Sequence, residues 1–304
     1  MTDALLEMAA LIVCGVVWRL LSPGGHDATA TRTALTGLVY YLFLPALVLM
    51  VLWPAQLGTD TLKISAVAGI STLASLLLMN WLCNVCSMDR PTRGAALIAA
   101  AFPNATYLGL PVLEATLGQS ARSIAIQYDL FACTPLMLTV GVWLAMRYGT
   151  TSQTRLQLSS LLKVPALWAA LLAVLLNGFG VPFPEGLRHW LQTLANGVVP
   201  LMLISLGLSL SIKREHFSAM RSLLPILGVQ LIFMPLVALG MTEILAMDGM
   251  LKQGVILEAA MPTMVIGLVL CDRYGLNGVV YAAAVTVSTV FSFITLNLWY
   301  GLVV

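Results

Sequence analysis

Ten long apolar segments run through this chain, and they limit its fold more than any other feature. About 20 apolar residues cross a bilayer as a helix, because every backbone N–H and C=O then pairs within the segment. Only 9% of the residues are charged, against about 25% in a soluble domain. The sequence therefore predicts an all-α polytopic membrane protein with ten spans, namely residues 4–21, 32–52, 62–83, 93–116, 122–146, 163–180, 187–211, 221–245, 252–272 and 277–303.

The basic residues are distributed unequally between the two sides that these spans define. Short cytoplasmic loops carry an excess of Lys and Arg, so the richer side is predicted to be cytoplasmic. Both termini are then extracytoplasmic, and the protein is a multi-pass protein of the cell (inner) membrane. The eleven residues on the cytoplasmic side are Arg19, Arg32, Arg90, Arg93, Arg147, Arg155, Lys163, Lys213, Arg214, Arg221 and Arg273, and the four on the other side are Lys63, Arg122, Arg188 and Lys252.

Proline positions indicate an internal duplication. A short cytoplasmic linker, 148–162, separates a first five-span repeat, 1–147, from a second, 163–304. Pro45 and Pro103 lie 58 residues apart in spans 2 and 4, and Pro200 and Pro262 lie 62 residues apart in spans 7 and 9. Weak internal symmetry of this kind is typical of transporters. Because each repeat has an odd number of spans, the two repeats have inverted topology.

Spans 4 and 9 are predicted to break at their prolines. Proline removes a backbone donor and clashes with a carbonyl one turn earlier, and the freed groups require protein or a wet cavity beside them. Span 4 also carries a second proline, a glycine and an amide in the run FPNATYLGLP. Pro103 and Pro262 lie about 15 Å from opposite faces. We therefore expect the two broken helices to cross at the bilayer midplane.

A crossing of this kind suits an anion. The second half of each broken helix would begin at the midplane, where its free N–H groups carry partial positive charge. Asn104 can add two donors and Thr263 one, which would hold a carboxylate without a buried Lys or Arg. The predicted substrate-binding residues are Pro103, Asn104, Ala105, Thr106, Gly109, Pro262, Thr263 and Met264.

Two carboxylates within the spans are candidates for a coupling ion or proton, because ionisable residues in a membrane are functional by default. Glu258 lies one turn before Pro262, and Asp129 lies in span 5. The alternative for Glu258 is a structural pairing with Lys252 or Gln253.

Three further residues are secondary candidates. Pro45 and Pro200 are either simple kinks or part of the site. Asn196, one turn before Pro200, either belongs to the site or forms a helix–helix hydrogen bond.

The motifs FPNATYLGLP with EATLG, AAMPTMVIGLVLCDRYG, LPALVL, PLMLISLGLSL and AAAVTVSTVFSFITL resemble the auxin efflux carrier family. Its bacterial members include malonate and other organic-acid transporters. The resemblance implies a ten-helix, inverted-repeat fold of the bile-acid and sodium-symporter type, with a scaffold and a core in which helices 4 and 9 cross over.

The resemblance also assigns individual residues. The family's asparagine after the helix-4 proline maps onto Asn104, and its crossover prolines map onto Pro103 and Pro262. Plant carriers have a second amide after the helix-9 proline, and this sequence has Thr263 and Met264 at that place. Sodium-coupled relatives have a Glu in helix 9 near the crossover, and Glu258 has a similar position in this sequence. The short linker resembles that of the bacterial type.

The predicted function is secondary active transport of a small organic anion, a dicarboxylate such as malonate or an auxin-like carboxylate, by elevator-type alternating access. The driving force is left open between a proton gradient, a sodium gradient and neither. The alternatives are a sodium-coupled symporter of another organic solute, a channel, or a non-transporting membrane sensor.

No H-E-x-x-H, G-x-S-x-G or aspartate-rich motif occurs, so we expect no enzyme, no cofactor and no metal site. The expected partners are the organic anion and the lipid bilayer, without nucleic acid, and a homodimer is left open.

Overall fold

The computed structural model describes residues 2–55, 57–151, 162–210 and 220–304, and these are almost entirely helical. Each predicted span coincides with helix, and spans 4 and 9 each coincide with two helices, which confirms the all-helical fold. Arg155, Lys213, Arg214 and most of the linker lie outside the described residues. The helices are α1 Thr2–Leu21, α2 Ala28–Leu52, α3 Thr59–Val85, α4 Arg90–Ala101, α5 105–117, α6 Gln119–Tyr148, α7 Pro165–Gly178, α8 Glu185–Ser209, α9 220–244, α10 Gly249–Ala259, α11 Gly267–Tyr274 and α12 Gly278–Val303.

Six helices in the described part of the chain are long and apolar enough to cross a membrane. They are α2, α3, α6, α8, the Ser222–Ile244 part of α9, and α12. This number is that of a polytopic membrane protein. Helices α4, α5, α10 and α11 are each too short to cross alone.

Prolines explain where α4 and α10 end. The residue before a proline avoids the α conformation, and Phe102, which precedes Pro103, has extended backbone angles of φ −116° and ψ 103°. Helix α10 likewise ends at Ala259, shortly before Pro262. The predicted breaks in spans 4 and 9 are therefore present.

Wide, π-helical turns precede other prolines. A proline ring clashes with the carbonyl four residues earlier, and a turn with one extra residue moves that carbonyl away. Such turns recur at functional sites. They are Val39–Phe43 before Pro45, Ala105–Gly109 before Pro111, Asp129–Cys133 before Pro135, and Val229–Phe233 before Pro235.

The helices pack in two groups. Helices α1, α2, α7 and α8 pack on one another and form the first group, and the remaining helices pack on one another and form the second. The main contacts between the groups join α5 to α1 and α8, and α6 to α2 and α7. The break that follows α4 therefore lies close to the boundary between the two groups.

Contacts of the basic residues join positions that the sequence predicts on the same side of the membrane. On the predicted cytoplasmic side, Arg90 donates to the carbonyl of Arg147 and Arg19 to that of Leu210. On the opposite side, Lys63 donates to the carbonyl of Ala246, Lys252 pairs with Glu243, and Arg122 pairs with Glu114. These contacts agree with the predicted assignment of the basic residues to the two sides of the membrane.

Candidate functional site

The two helix breaks meet through their backbones. The N–H of Asn104 donates to the carbonyl of Pro262 at 2.7 Å, and the N–H of Met264 donates to the carbonyl of Phe102 at 2.9 Å. These bonds form an antiparallel bridge between Pro103 and Thr263. The bridge pairs backbone groups that the breaks would otherwise leave free inside the protein.

Two helices begin directly after this bridge. Helix α5 begins at Ala105, and a turn at Val265 and Ile266 leads into α11. The first N–H groups of a helix have no partner within it and carry partial positive charge. Both helix starts are thus available to an anion near the bridge.

Asn104 places a side-chain amide at this point. Asn104 is 2% exposed, and its Nδ2 has no hydrogen-bond partner among the described residues. A buried donor without a partner costs about 1–3 kcal/mol, so a bound acceptor would be favoured there. The backbone carbonyl of Asn104 is already used, because it accepts from the N–H groups of Leu108 and Gly109.

A cavity of about 100 Å³ lies beside the bridge. Helices of both groups line it, since Tyr40 and Leu44 come from α2 and Val164 precedes α7, whereas Thr106 comes from α5. Of the predicted substrate-binding residues, Asn104, Thr106 and Met264 line this cavity. We call it the inner cavity.

Asp129 lines the inner cavity as well. It is 5% exposed, and both of its carboxylate oxygens accept hydrogen bonds, Oδ2 from the hydroxyl of Thr106 and Oδ1 from that of Thr134. The hydroxyl of Thr106 is therefore engaged by Asp129. Asp129, a candidate for coupling, therefore lies in the same cavity as the predicted anion-binding residues Asn104 and Thr106.

Glu258 is fully buried, and no described residue forms a hydrogen bond with either of its carboxylate oxygens. Pairing with Lys252 is not what the structure shows, because Lys252 pairs with Glu243. The carboxylate instead lies against Gly109, where a Cβ atom would come within 2.3 Å of Oε2. The hydroxyl of Tyr128 is also buried, without a hydrogen-bond partner among the described residues.

The other predicted residues do not line the inner cavity. The hydroxyl of Thr263 donates to the carbonyl of Ala99 at 2.8 Å, so it is already engaged. Pro103 and Pro262 hold the bridge, and Ala105 is buried at the start of α5. Pro45 follows the wide turn that carries Tyr40.

The second repeat's secondary candidates do not line the inner cavity. Pro200 lies inside the continuous helix α8. Asn196 is exposed, and its Oδ1 accepts from Gln192.

Three residues beside the bridge were not predicted. Tyr40 and Tyr107 line the inner cavity. Gln230 is fully buried, and its Nε2 donates to the carbonyl of Met261 at 2.9 Å. The signal that could have indicated Tyr40 and Gln230 is their position five residues before Pro45 and Pro235, in the wide turns.

A model of the family described as membrane transport protein matches residues 11–300. The chain belongs to this family, that of the auxin efflux carriers. The match covers both helix breaks and nearly the whole chain, and it confirms the resemblance seen in the sequence motifs.

Several curated relatives are archaeal and bacterial members of the family. An uncharacterized transporter of Methanothermobacter thermautotrophicus is 28% identical over 98% of this chain and 97% of its own length. The uncharacterized transporter MJ1031 of Methanocaldococcus jannaschii is 28% identical over 68% of this chain and 67% of its own. The uncharacterized transporter YfdV of Escherichia coli K12 is 25% identical over 67% of this chain and 66% of its own. This chain is therefore a membrane transporter of the auxin efflux carrier family.

Proposed function

We propose that the protein is a secondary active transporter that carries a small organic anion, a dicarboxylate such as malonate or an auxin-like carboxylate, across the cytoplasmic membrane. The observation that carries this proposal is the amide of Asn104, which is buried without a partner where two helices begin beside a cavity. Helix N-termini and an amide together bind a carboxylate without a cationic side chain. In this proposal Asn104, Thr106 and Met264 contact the anion, because they line the cavity. The backbone of Pro103, Ala105, Gly109, Pro262 and Thr263 forms the bridge and the start of α5 around it.

The proposed architecture is two inverted five-span repeats, 1–147 and 163–304, with both termini outside. Three observations support it. Helical segments coincide with all ten predicted spans, and the two breaks occur at corresponding positions of the repeats. The contacts of the basic residues also join positions on one predicted side.

An elevator-type movement fits the packing of the helices. The group α1, α2, α7 and α8 would serve as the scaffold, and the other group would carry the substrate as the core. The inner cavity lies between residues of both groups, so sliding of the core would move Asn104 relative to Tyr40. Discontinuous helices at the midplane are typical of transporters that work by alternating access.

Replacement of Asn104 by alanine is expected to lower carboxylate uptake about tenfold or more. The change removes both amide donors, and a hydrogen bond to a charged group contributes about 1.5–3 kcal/mol, which corresponds to at least tenfold in affinity. Uptake would be measured in proteoliposomes with labelled malonate, succinate, lactate and indole-3-acetate. Asn297→Ala is the matched control, because Asn297 is exposed and donates to the carbonyl of its own helix at Phe293.

Unchanged uptake by Asn104→Ala would contradict the binding site. Counterflow separates a carrier from the alternatives, because a carrier exchanges labelled for unlabelled substrate. A channel would show flux without counterflow, and a non-transporting sensor would show no flux at all.

Glu258→Gln is expected to abolish the response of uptake to the driving gradient while exchange at equal concentrations persists. We propose Glu258 as the coupling residue, since its buried carboxylate accepts no hydrogen bond from the described residues, whereas both oxygens of Asp129 accept hydrogen bonds. Uptake under an imposed pH gradient is compared with uptake under a sodium gradient, in the wild type, Glu258→Gln and Asp129→Asn. The control is Glu243→Gln, which changes an exposed carboxylate.

If neither gradient drives wild-type uptake, Glu258 has a structural role. If Asp129→Asn alone loses the response, Asp129 is the coupling residue instead.

A further inference from the structure

A second cavity of about 320 Å³ adjoins the inner cavity. The two share Tyr40, Tyr107, Val265 and Ile266 as lining residues, so these four side chains form the partition between them. The second cavity extends away from the partition toward Arg32 at the start of α2. We call it the outer cavity.

Arg32 differs from Arg19, Arg90 and Arg93, three other arginines on its predicted side. Arg19 and Arg90 donate to backbone carbonyls, and Arg93 donates to Asn80 and Asn84. Arg32 is half-buried, and no described residue forms a hydrogen bond or an ion pair with it. Among the described residues, no group occupies the guanidinium, so it can bind an anion that enters the outer cavity.

The rest of the outer cavity favours an anion too. Its polar lining consists of hydroxyl groups and Arg32, and no carboxylate among the described residues lines it. The hydroxyls of Thr36 and Ser205 are hydrogen-bonded to each other at 2.8 Å. A cleft lined by charge of one sign between low-dielectric walls raises the local concentration of a substrate of opposite charge.

The helical register separates Arg32 from the inner cavity. Arg32, Thr36 and Tyr40 follow one another at four-residue intervals on α2, so they share one face. Arg32 lies about 12 Å along the helix axis from Tyr40. An anion that enters through the outer cavity would therefore meet Arg32 before it reaches Asn104 in the inner cavity.

The two positions also belong to different groups of helices. Arg32 is on α2 in the first group, whereas Asn104 precedes α5 in the second. If the second group moves as the proposed core, Asn104 travels with it and Arg32 stays with the scaffold. Arg32 can then receive or release substrate at one face of the membrane only.

We propose that Arg32 is a capture site for carboxylate anions that serves only the membrane face on which it lies. This inference rests on the proposed transport of an organic anion, and it adds a kinetic asymmetry between the two faces. Loss of the charge should weaken capture from the Arg32 face without affecting binding from the opposite face. The asymmetry distinguishes capture from a general structural role of Arg32.

The test measures KM from each face with the full chain. The substrate is the one of malonate, succinate, lactate and indole-3-acetate that the wild type transports fastest. Its exchange is measured in right-side-out and in inside-out membrane vesicles. A membrane-impermeant maleimide, applied to Ala34→Cys and to the unsubstituted protein, first identifies the face that carries Arg32. Arg147→Gln is the control, because it removes a charge on the same predicted side outside both cavities.

For Arg32→Gln, KM at the Arg32 face is expected to rise about tenfold, and KM at the opposite face and the maximal rate should stay unchanged. The rise should shrink as ionic strength increases, because salt screens the charge, and Arg32→Lys should restore most of the affinity. An unchanged KM, or an equal rise at both faces, would overturn the capture site and leave the proposed function intact. If the wild type transports none of the four acids, both proposals are overturned together.

Discussion

Replacement of Gly207 by alanine is expected to lower the apparent Tm of the purified protein by roughly 5–10 °C. A Cβ atom at this position would lie 2.0 Å from the carbonyl oxygen of Ile12 and 2.9 Å from the Cα of Gly15. Both neighbours are backbone atoms of α1, which cannot turn aside as a side chain can. The whole helix must therefore shift. Overpacking typically costs about 1–3 kcal/mol of folding free energy, and we expect a cost of about 3 kcal/mol here.

The same contact seen from α1 gives a reciprocal expectation. A Cβ atom on Gly15 would lie 2.1 Å from the carbonyl oxygen of Ile204 in α8. Small residues allow helices to approach closely within a membrane, and here α1 and α8 both belong to the proposed scaffold. Because either methyl group forces the same two helices apart, the double variant should lose less stability than the sum of the single variants.

The measurement is size-exclusion chromatography of detergent-solubilised protein after heating. Gly69→Ala and Gly240→Ala are matched controls, because both positions are helical and a Cβ atom there meets nothing within 4 Å. Alanine is the better helix former by about 1 kcal/mol, so neither control should lose stability. A Tm of Gly207→Ala equal to that of the controls would mean that α1 and α8 are not in this contact.

The helix breaks could be predicted from the sequence because their cause is local. Proline restricts the residue before it and removes a donor, so the chain leaves the helix at Phe102 and before Pro262 whatever surrounds it. The depth of each break follows from counting residues along a helix of known rise. The equal predicted depths led us to expect that the two breaks meet, and a backbone bridge between Pro103 and Thr263 joins them in the structure.

The contacts of individual side chains could not be predicted in the same way, because they depend on how helices rotate against one another. The hydroxyl of Thr263 was expected to face an anion, yet it bonds to the carbonyl of Ala99, which is freed where α4 ends. Tyr40 was missed because nothing in the sequence shows which face of α2 lines a cavity.

Glu258 shows the limit of reasoning within one helix. Lys252 is six residues away on α10, and sequence proximity suggested it as a partner. The structure pairs Lys252 with Glu243 of α9 instead. Partners on another helix become visible only when both helices have been placed in three dimensions.

Replacement of Gly109 by alanine is expected to lower transport by roughly 5- to 150-fold. The added Cβ atom would lie 2.3 Å from Oε2 and 2.6 Å from Oε1 of Glu258. The carboxylate ends a flexible side chain, but Glu258 is fully buried, so its displacement disturbs the packing around it. Such overpacking costs about 1–3 kcal/mol. When this cost falls on only one state of the transport cycle, it lowers the transport rate by about 5- to 150-fold.

The collision can be relieved from the other side, because Glu258→Ala removes the atoms that the new methyl group would meet. The double variant Gly109→Ala, Glu258→Ala should therefore be more stable than the sum of the single effects, by about 1–3 kcal/mol, as measured by Tm. Its gradient-driven uptake should stay lost, because the carboxylate proposed for coupling is absent, while counterflow returns with the restored packing. If the double variant regained neither stability nor counterflow, the Glu258 carboxylate would not be the group that requires glycine at position 109. Recovery of counterflow without gradient coupling would instead separate the two roles of this contact, since close packing at Gly109 would support the binding site and the charge of Glu258 would support the coupling.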